Sequence, residues 1–214
     1  MLKGITVLPI ICNLMLVATG VEAKLATPAG IPSQQGIGGI NQPQIDFDEP
    51  GNIVKDGMES IRSFMQQGKD KDSATIFRFL QDKVVQQFDL DKMANWIAGP
   101  AYMQLTIQQR VAFQGRLREK MFTAISRQMG VFSNQKLRLN YFRPKRTGSF
   151  DVISAVRIMH PNQSPIRMTF KFHHTGQFGW RVYDIAINGM SALLYYRNYY
   201  QQRYAQYGPK AFLY

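Results

Sequence analysis

The chain has 214 residues, a formal net charge of +12 and one cysteine, Cys12. This length fits a single domain with a sizeable apolar core, and a lone cysteine excludes a disulfide framework within the chain. A strongly basic protein attracts phosphate groups, either of nucleic acid or of anionic lipid.

The first 23 residues have the pattern of a secretory signal peptide. Met1-Leu2-Lys3 is a short basic start, the run from Ile5 to Thr19 is largely apolar, and Val21-Glu22-Ala23 offers small residues at the cleavage positions. The run is shorter than the roughly 20 apolar residues of a membrane span, so we expect cleavage after Ala23. Export favours a bacterial periplasm, where lipid is a better partner for the basic charge than nucleic acid.

Residues 24–48 are rich in Gly, Pro and Gln and offer few large apolar side chains. This composition predicts a flexible arm, with a spacer role favoured over a binding segment. The folded domain is then expected over residues 49–214.

Helical periodicity begins at Pro50. The pattern predicts one helix that ends at Gly68, a second capped by Ser73, and a short third at about 90–97. Thr106 and Gln109 have the capping-box spacing that opens the longest helix, at about 107–129.

After these helices the apolar period changes to two, the period of strands. Runs of this kind lie at about 136–141, 150–159, 166–173 and 179–187, and short turns join them. Four such strands predict an antiparallel meander. Helices followed by strands predict an α+β fold, in which a curved four-stranded antiparallel sheet packs against a helical layer.

The fourth strand ends in a sharp turn at Asn188-Gly189. Ser191 is positioned to cap the helix that follows, which is expected from about Met190 to Tyr207. This helix is crowded with tyrosines.

The order of these segments resembles the MlaC family of periplasmic phospholipid-binding proteins, also described as toluene-tolerance proteins. The resemblance is carried by Gly179-Trp180-Arg181-Val182-Tyr183-Asp184, Gly189-Met190-Ser191 and Tyr196-Arg197, with support from residues 88–94, 106–113 and 165–170. It covers roughly residues 50–208.

The resemblance implies an apolar cavity between sheet and helices that holds the acyl chains of a phospholipid. It implies no catalysis and no cofactor. As partners it implies an inner-membrane ABC transporter complex and an outer-membrane lipoprotein complex, between which the protein carries phospholipid to maintain outer-membrane lipid asymmetry. Peripheral contact with a membrane is compatible with the charge.

The candidate cavity-lining residues are the large apolar side chains on one stripe of the longest helix and on one parity of the strands. They are Phe113, Leu117, Met121, Ile125, Leu139, Tyr141, Val152, Val156, Ile158, Met168, Phe170, Phe172, Trp180 and Val182. From the residues alone, such apolar stripes more often form a filled core. With the family resemblance, the filled core and the lipid cavity are equally favoured interpretations.

Arg138, Arg143, Lys145 and Arg146 are candidates for a headgroup or partner rim, against the alternative of a solvated loop. Asp184 shares strand parity with Trp180 and Val182, and an acid among apolar neighbours is expected to have a structural partner.

Two other functions stay open from the residues. One is a non-catalytic interaction or assembly module on the same fold, which would use the arm and the tyrosine-rich helix for docking. The other is an enzyme with Asp184 as acid or base, which is disfavoured because His160, His173 and His174 lack metal-ligand spacing.

Overall fold

The computed structural model describes residues 45–67, 71–130, 137–161 and 163–213. The chain divides into two units, Met1–Asp46 and Phe47–Tyr214, and every helix and strand described here belongs to the second. The predicted signal peptide and residues 24–44 of the predicted arm lie outside the described residues. Within the described ranges, no helix is both long and apolar enough to span a membrane.

The predicted helices all form. They are α1 (Glu49–Gln66), α2 (Ser73–Lys83), α3 (Leu90–Ala98), α4 (Ile107–Gly130) and α5 (Ala192–Tyr207), with 3₁₀ turns at Val85–Gln87, Gly99–Gln104 and Gly208–Phe212.

Local capping explains where two of these helices begin. The predicted capping box opens α4, since the Gln109 N–H donates to Thr106 Oγ1 (3.2 Å) and the Thr106 N–H donates to Gln109 Oε1 (2.8 Å). The predicted cap of α2 is wrong by one residue. Asp72, not Ser73, accepts the hydrogen bond from the Thr75 N–H, at 2.7 Å.

The α+β prediction is confirmed, with five strands where four were predicted. They are β1 (Arg138–Arg146), β2 (Asp151–His160), β3 (Gln163–Thr175), β4 (Gly179–Ile187) and β5 (Met190–Ser191), ordered β1-β2-β3-β4-β5 in one antiparallel sheet. The fifth strand arises because Asn188 (φ 49°) and Gly189 (φ 87°) form a tight hairpin turn that returns Met190 alongside Ile187. The last helix therefore begins at Ala192 instead of Met190, and Ser191 caps it as predicted.

A β-bulge changes which face of the sheet Asp184 occupies. In the β3–β4 pairing, Lys171 lies opposite Asp184 but Phe172 lies opposite Val182, so Tyr183 is an extra residue. An extra residue reverses the alternation of side chains beyond it. Asp184 therefore lies on the opposite face from Val182, and the predicted shared face is wrong.

On that opposite face the Asp184 carboxylate joins β3, β4, β5 and the start of α5. It is fully buried and accepts hydrogen bonds from the Ser191 hydroxyl (2.8 and 2.9 Å) and the Leu193 N–H (3.1 Å). Lys171 Nζ pairs with it at 2.9 Å. The structural partner expected for this acid is thus confirmed.

Among the described residues, the helices contribute to two apolar clusters. The helical core joins α3, α4, α5 and the C-terminal 3₁₀ turn, and the α1–α2–α4 cluster is built on Met65, Ile76, Leu80 and Phe122. Residues 88 and 89 link the helices to the free edge of β4, where the Asp89 N–H donates to the Val182 carbonyl at 2.8 Å.

We expect Asp184→Ala to lower the free energy of unfolding by about 2–4 kcal/mol, because it leaves the Ser191 hydroxyl and the buried Leu193 N–H without their acceptor. The matched control is Asp151→Ala, which breaks the half-exposed pair with His173 and should cost about 1 kcal/mol or less. Urea unfolding followed by circular dichroism measures both values. Equal losses in the two variants would contradict this role for Asp184.

Candidate functional site

The strand register brings all ten predicted sheet residues to one face. The pairs Leu139–Ile158, Tyr141–Val156, Val156–Met168, Val152–Phe172 and Phe172–Val182 lie directly opposite each other, and Phe170 and Trp180 share the parity of Phe172 and Val182. We call this surface the apolar face. The alternation read from the sequence therefore identified one continuous surface across four strands.

The apolar face is not evenly covered. Val152, Phe172, Trp180 and Val182, at the end next to the β3–β4 turn, are almost fully buried. Toward the β2–β3 turn the face becomes half-buried, at the four residues Leu139, Tyr141, Ile158 and Met168. The face is thus closed at one end of the sheet and partly open at the other.

Helix α1 packs across β1 and β2 on this side of the sheet. The Tyr141 hydroxyl donates to Glu59 Oε1 at 3.0 Å, and burial together with this carboxylate raises the pKa of Tyr141 above its usual value. Gly51 permits the close approach, since a Cβ there would lie 2.7 Å from the Pro144 ring. The sequence did not predict that α1 is the helix that packs on the sheet.

An aromatic contact covers the closed end of the apolar face. The Phe47 ring lies 5.7 Å from the Trp180 ring in an edge-on arrangement, and the Arg146 guanidinium lies 4.0 Å from the Phe47 centroid. Phe47 precedes α1 by two residues, so the start of α1 is fixed next to Trp180.

The four predicted residues of α4 do not join the sheet residues in one cluster. Phe113, Leu117 and Met121 belong to the helical core, where the Phe113 ring lies 4.9 Å from Tyr200 and 5.0 Å from Phe212. Ile125 packs against the α1–α2–α4 cluster instead. A spacing of four drifts by about 40° per step on a helix of 3.6 residues per turn, so the stripe rotates away from its first face.

Three residues of the apolar face were missed. Ile166 lies opposite Ile158, and the bulge at Tyr183 turns Ile185 and Ile187 to the same side, opposite Phe170 and Met168. Residues 185–187 are all apolar and show no alternation, so the sequence did not predict which face of the sheet Ile185 and Ile187 occupy.

The predicted rim residues all lie on β1, not in a loop, and all four are exposed. They are spread along the strand, because Arg138 lies opposite Met159 near the open end and Arg146 lies opposite Val152 at the closed end. Pro144 is tolerated within β1 because this is an edge strand with a register shift between Phe142 and Lys145.

Two open grooves lie elsewhere on the helices. One, of about 400 Å³, runs between α1 and α2, and the other, of about 540 Å³, runs between α2 and α4. Neither groove is lined by a predicted site residue. Among the described residues, no group of His, Cys, Asp or Glu is arranged to hold a metal ion.

Most tyrosines of α5 face inward. Tyr196, Tyr199, Tyr200 and Tyr204 pack in or against the helical core, while Tyr195 and Tyr207 are exposed. Burial raises the pKa of Tyr196 and of Tyr200 to about 12, so both hydroxyls are neutral at physiological pH.

Two tyrosines of the helical core differ in the hydrogen bonding of their hydroxyls, so their Phe variants should change stability in opposite directions. Within the described structure the buried Tyr200 hydroxyl has no hydrogen-bond partner, whereas the Tyr102 hydroxyl donates to Asp91 (2.5 Å) and accepts from Gln114 (2.9 Å). We expect Tyr200→Phe to raise the free energy of unfolding by about 1 kcal/mol and Tyr102→Phe to lower it by about 1–2 kcal/mol. Thermal and urea unfolding of both variants measure whether the free energy of unfolding rises or falls in each. A destabilised Tyr200→Phe variant would contradict this assignment.

Comparison with known proteins gives a family and similar solved structures. The family model described as MlaC protein matches residues 55–213. The fold is similar to that of a phospholipid-binding protein from Ralstonia solanacearum, solved in complex with a phospholipid, with a TM-score of 0.67 and 18% sequence identity over 76% of this chain and 92% of that chain. At this identity the likeness concerns the fold. Among curated proteins, none matches the chain.

Proposed function

Because the chain belongs to the MlaC family, we propose that it is a phospholipid carrier that holds acyl chains against the apolar face of its sheet. The observation that carries the proposal is the gradient of burial along that face. The apolar surface is continuous, is closed at Trp180 and is half-buried at Ile158. This arrangement suits an acyl chain that enters from the open end.

The energetics favour binding without a cofactor. Each methylene buried from water contributes about 0.8 kcal/mol, so the tens of methylenes in the acyl chains of a phospholipid give strong retention. The likeness in fold to a protein solved with a phospholipid supports this class of ligand. Retention of this kind also means that a partner must drive release.

The proposed cellular role is shuttling within the periplasm. In this role the carrier receives and delivers phospholipid at an inner-membrane ABC transporter complex and an outer-membrane lipoprotein complex, as the family resemblance implies, and so maintains outer-membrane lipid asymmetry. The expected signal peptide supports export.

The open end of the apolar face is the proposed headgroup end. Arg138 is exposed there, on the edge strand and opposite Met159. Its side chain shares the parity of Met159, on the face opposite Leu139 and Ile158, so we assign it no contact with the headgroup of a lipid whose acyl chains lie on the apolar face. Arg146 is held at the closed end on Phe47, so we assign it no headgroup contact.

Organic extraction of the purified protein, followed by mass spectrometry, tests the proposed function. We expect diacyl phospholipid to be recovered, since burial of its chains makes dissociation slow. Protein that carries no phospholipid and takes none up from liposomes would contradict the proposal.

A matched pair of neighbouring residues tests the surface itself. Ile158 lies on the apolar face and Met159 on the opposite face, and both are half-buried. We expect Ile158→Trp to lower phospholipid uptake by roughly tenfold or more, because the indole fills space that acyl methylenes would occupy. Met159→Trp should leave uptake unchanged. Equal uptake by the two variants, measured with a fluorescent phospholipid in liposomes, would contradict the assigned face.

A further inference from the structure

The outer face of the sheet carries a cluster that the proposed cargo site does not use. Phe142, Arg157 and Arg167 lie there on β1, β2 and β3, and all three are exposed. The guanidinium carbons of Arg157 and Arg167 lie 5.3 Å and 4.6 Å from the centroid of the same Phe142 ring. Because β2 separates β1 from β3, the contact between Arg167 and Phe142 spans β2, where Ala155 lies opposite Phe142 and has only a small, buried side chain.

The two arginines form a like-charge pair. They lie directly opposite each other in the β2–β3 ladder, an arrangement that costs stability. None of the ion pairs between described residues involves either of them. The Phe142 ring holds both guanidiniums by cation–π contact, and an anion bound beside them would remove their repulsion.

The neighbouring charge on this face is also positive. Arg138 and Lys145 share its parity, opposite Met159 and Ile153. The acids of the face are engaged, since Asp184 is buried against Lys171 and Asp151 pairs with His173 at 3.1 Å. The outer face therefore presents fixed cations on a surface three strands wide.

We propose that this outer face docks on the headgroup surface of an anionic phospholipid bilayer, with Arg157 and Arg167 as its central phosphate contacts. Guanidinium binds phosphate with two parallel hydrogen bonds, and a broad sheet face meets many headgroups at once. The net charge of +12 adds long-range attraction to such a surface. The inference rests on the proposed function, because a carrier of phospholipid collects and delivers its cargo at a bilayer.

Vesicle co-sedimentation of the full chain tests the docking. The vesicles contain phosphatidylethanolamine with phosphatidylglycerol, or phosphatidylcholine alone, at about 0.1 M salt, where the screening length is about 10 Å. We expect binding to the anionic vesicles only. The double variant Arg157→Gln/Arg167→Gln should weaken it by about 10- to 30-fold, since each surface arginine contributes about a three- to fivefold factor.

The matched control removes two exposed arginines of α4, as Arg118→Gln/Arg127→Gln. It has the same net charge as the test variant and should lose no more than about twofold, because the outer face is intact. Binding of wild type that is equal on both vesicle types, or equal losses in the two double variants, would overturn the docking proposal.

Lipid extraction of the same preparations keeps the two proposals apart. If the protein carries phospholipid but does not bind anionic vesicles, the docking proposal is wrong and the carrier function is still supported. Docking by a protein that carries no phospholipid would overturn the carrier function. Circular dichroism establishes that both double variants are folded.

Discussion

The carboxylate of Asp184 is the constraint on which the arrangement of this domain depends. It is fully buried and is held by Lys171, the Ser191 hydroxyl and the Leu193 N–H. A buried carboxylate is stable only when its partners are in place, so β3, β4, β5 and the start of α5 must come together as one unit. The helical core then follows, because Leu193 is the first residue of α5 that enters it.

The bulge at Tyr183 makes this arrangement compatible with an apolar face. Without the extra residue, Asp184 would share the side of Phe172 and Val182, and a charge would lie on the surface assigned to acyl chains. With it, Ile185 and Ile187 replace the acid on that side. The two sides of one sheet thus acquire different chemistry, an apolar one covered by α1 and an outer one rich in arginine.

The sequence predicted those parts of the fold that depend on local rules. Alternation identified the ten sheet residues, and the spacing of Thr106 and Gln109 identified the start of α4, because each signal repeats at the period of its own backbone. The sequence did not predict what depends on packing or on a single irregularity. The bulge leaves no trace in an Ile-Ala-Ile run, β5 is only two residues long, and the spacing of four from Phe113 to Ile125 hides a drift between two clusters.

The proposed carrier function requires that acyl chains lie on the apolar face of the sheet. The most direct measurement is methyl NMR of the protein loaded with a phospholipid that carries a spin label near the end of one acyl chain. We expect loss of signal from the methyl groups of Ile158, Met168 and Val156, whereas the helical-core methyls of Leu117 and Leu193 should be unaffected. Broadening at Leu117 and Leu193 with the sheet methyls unchanged would contradict this placement of the acyl chains.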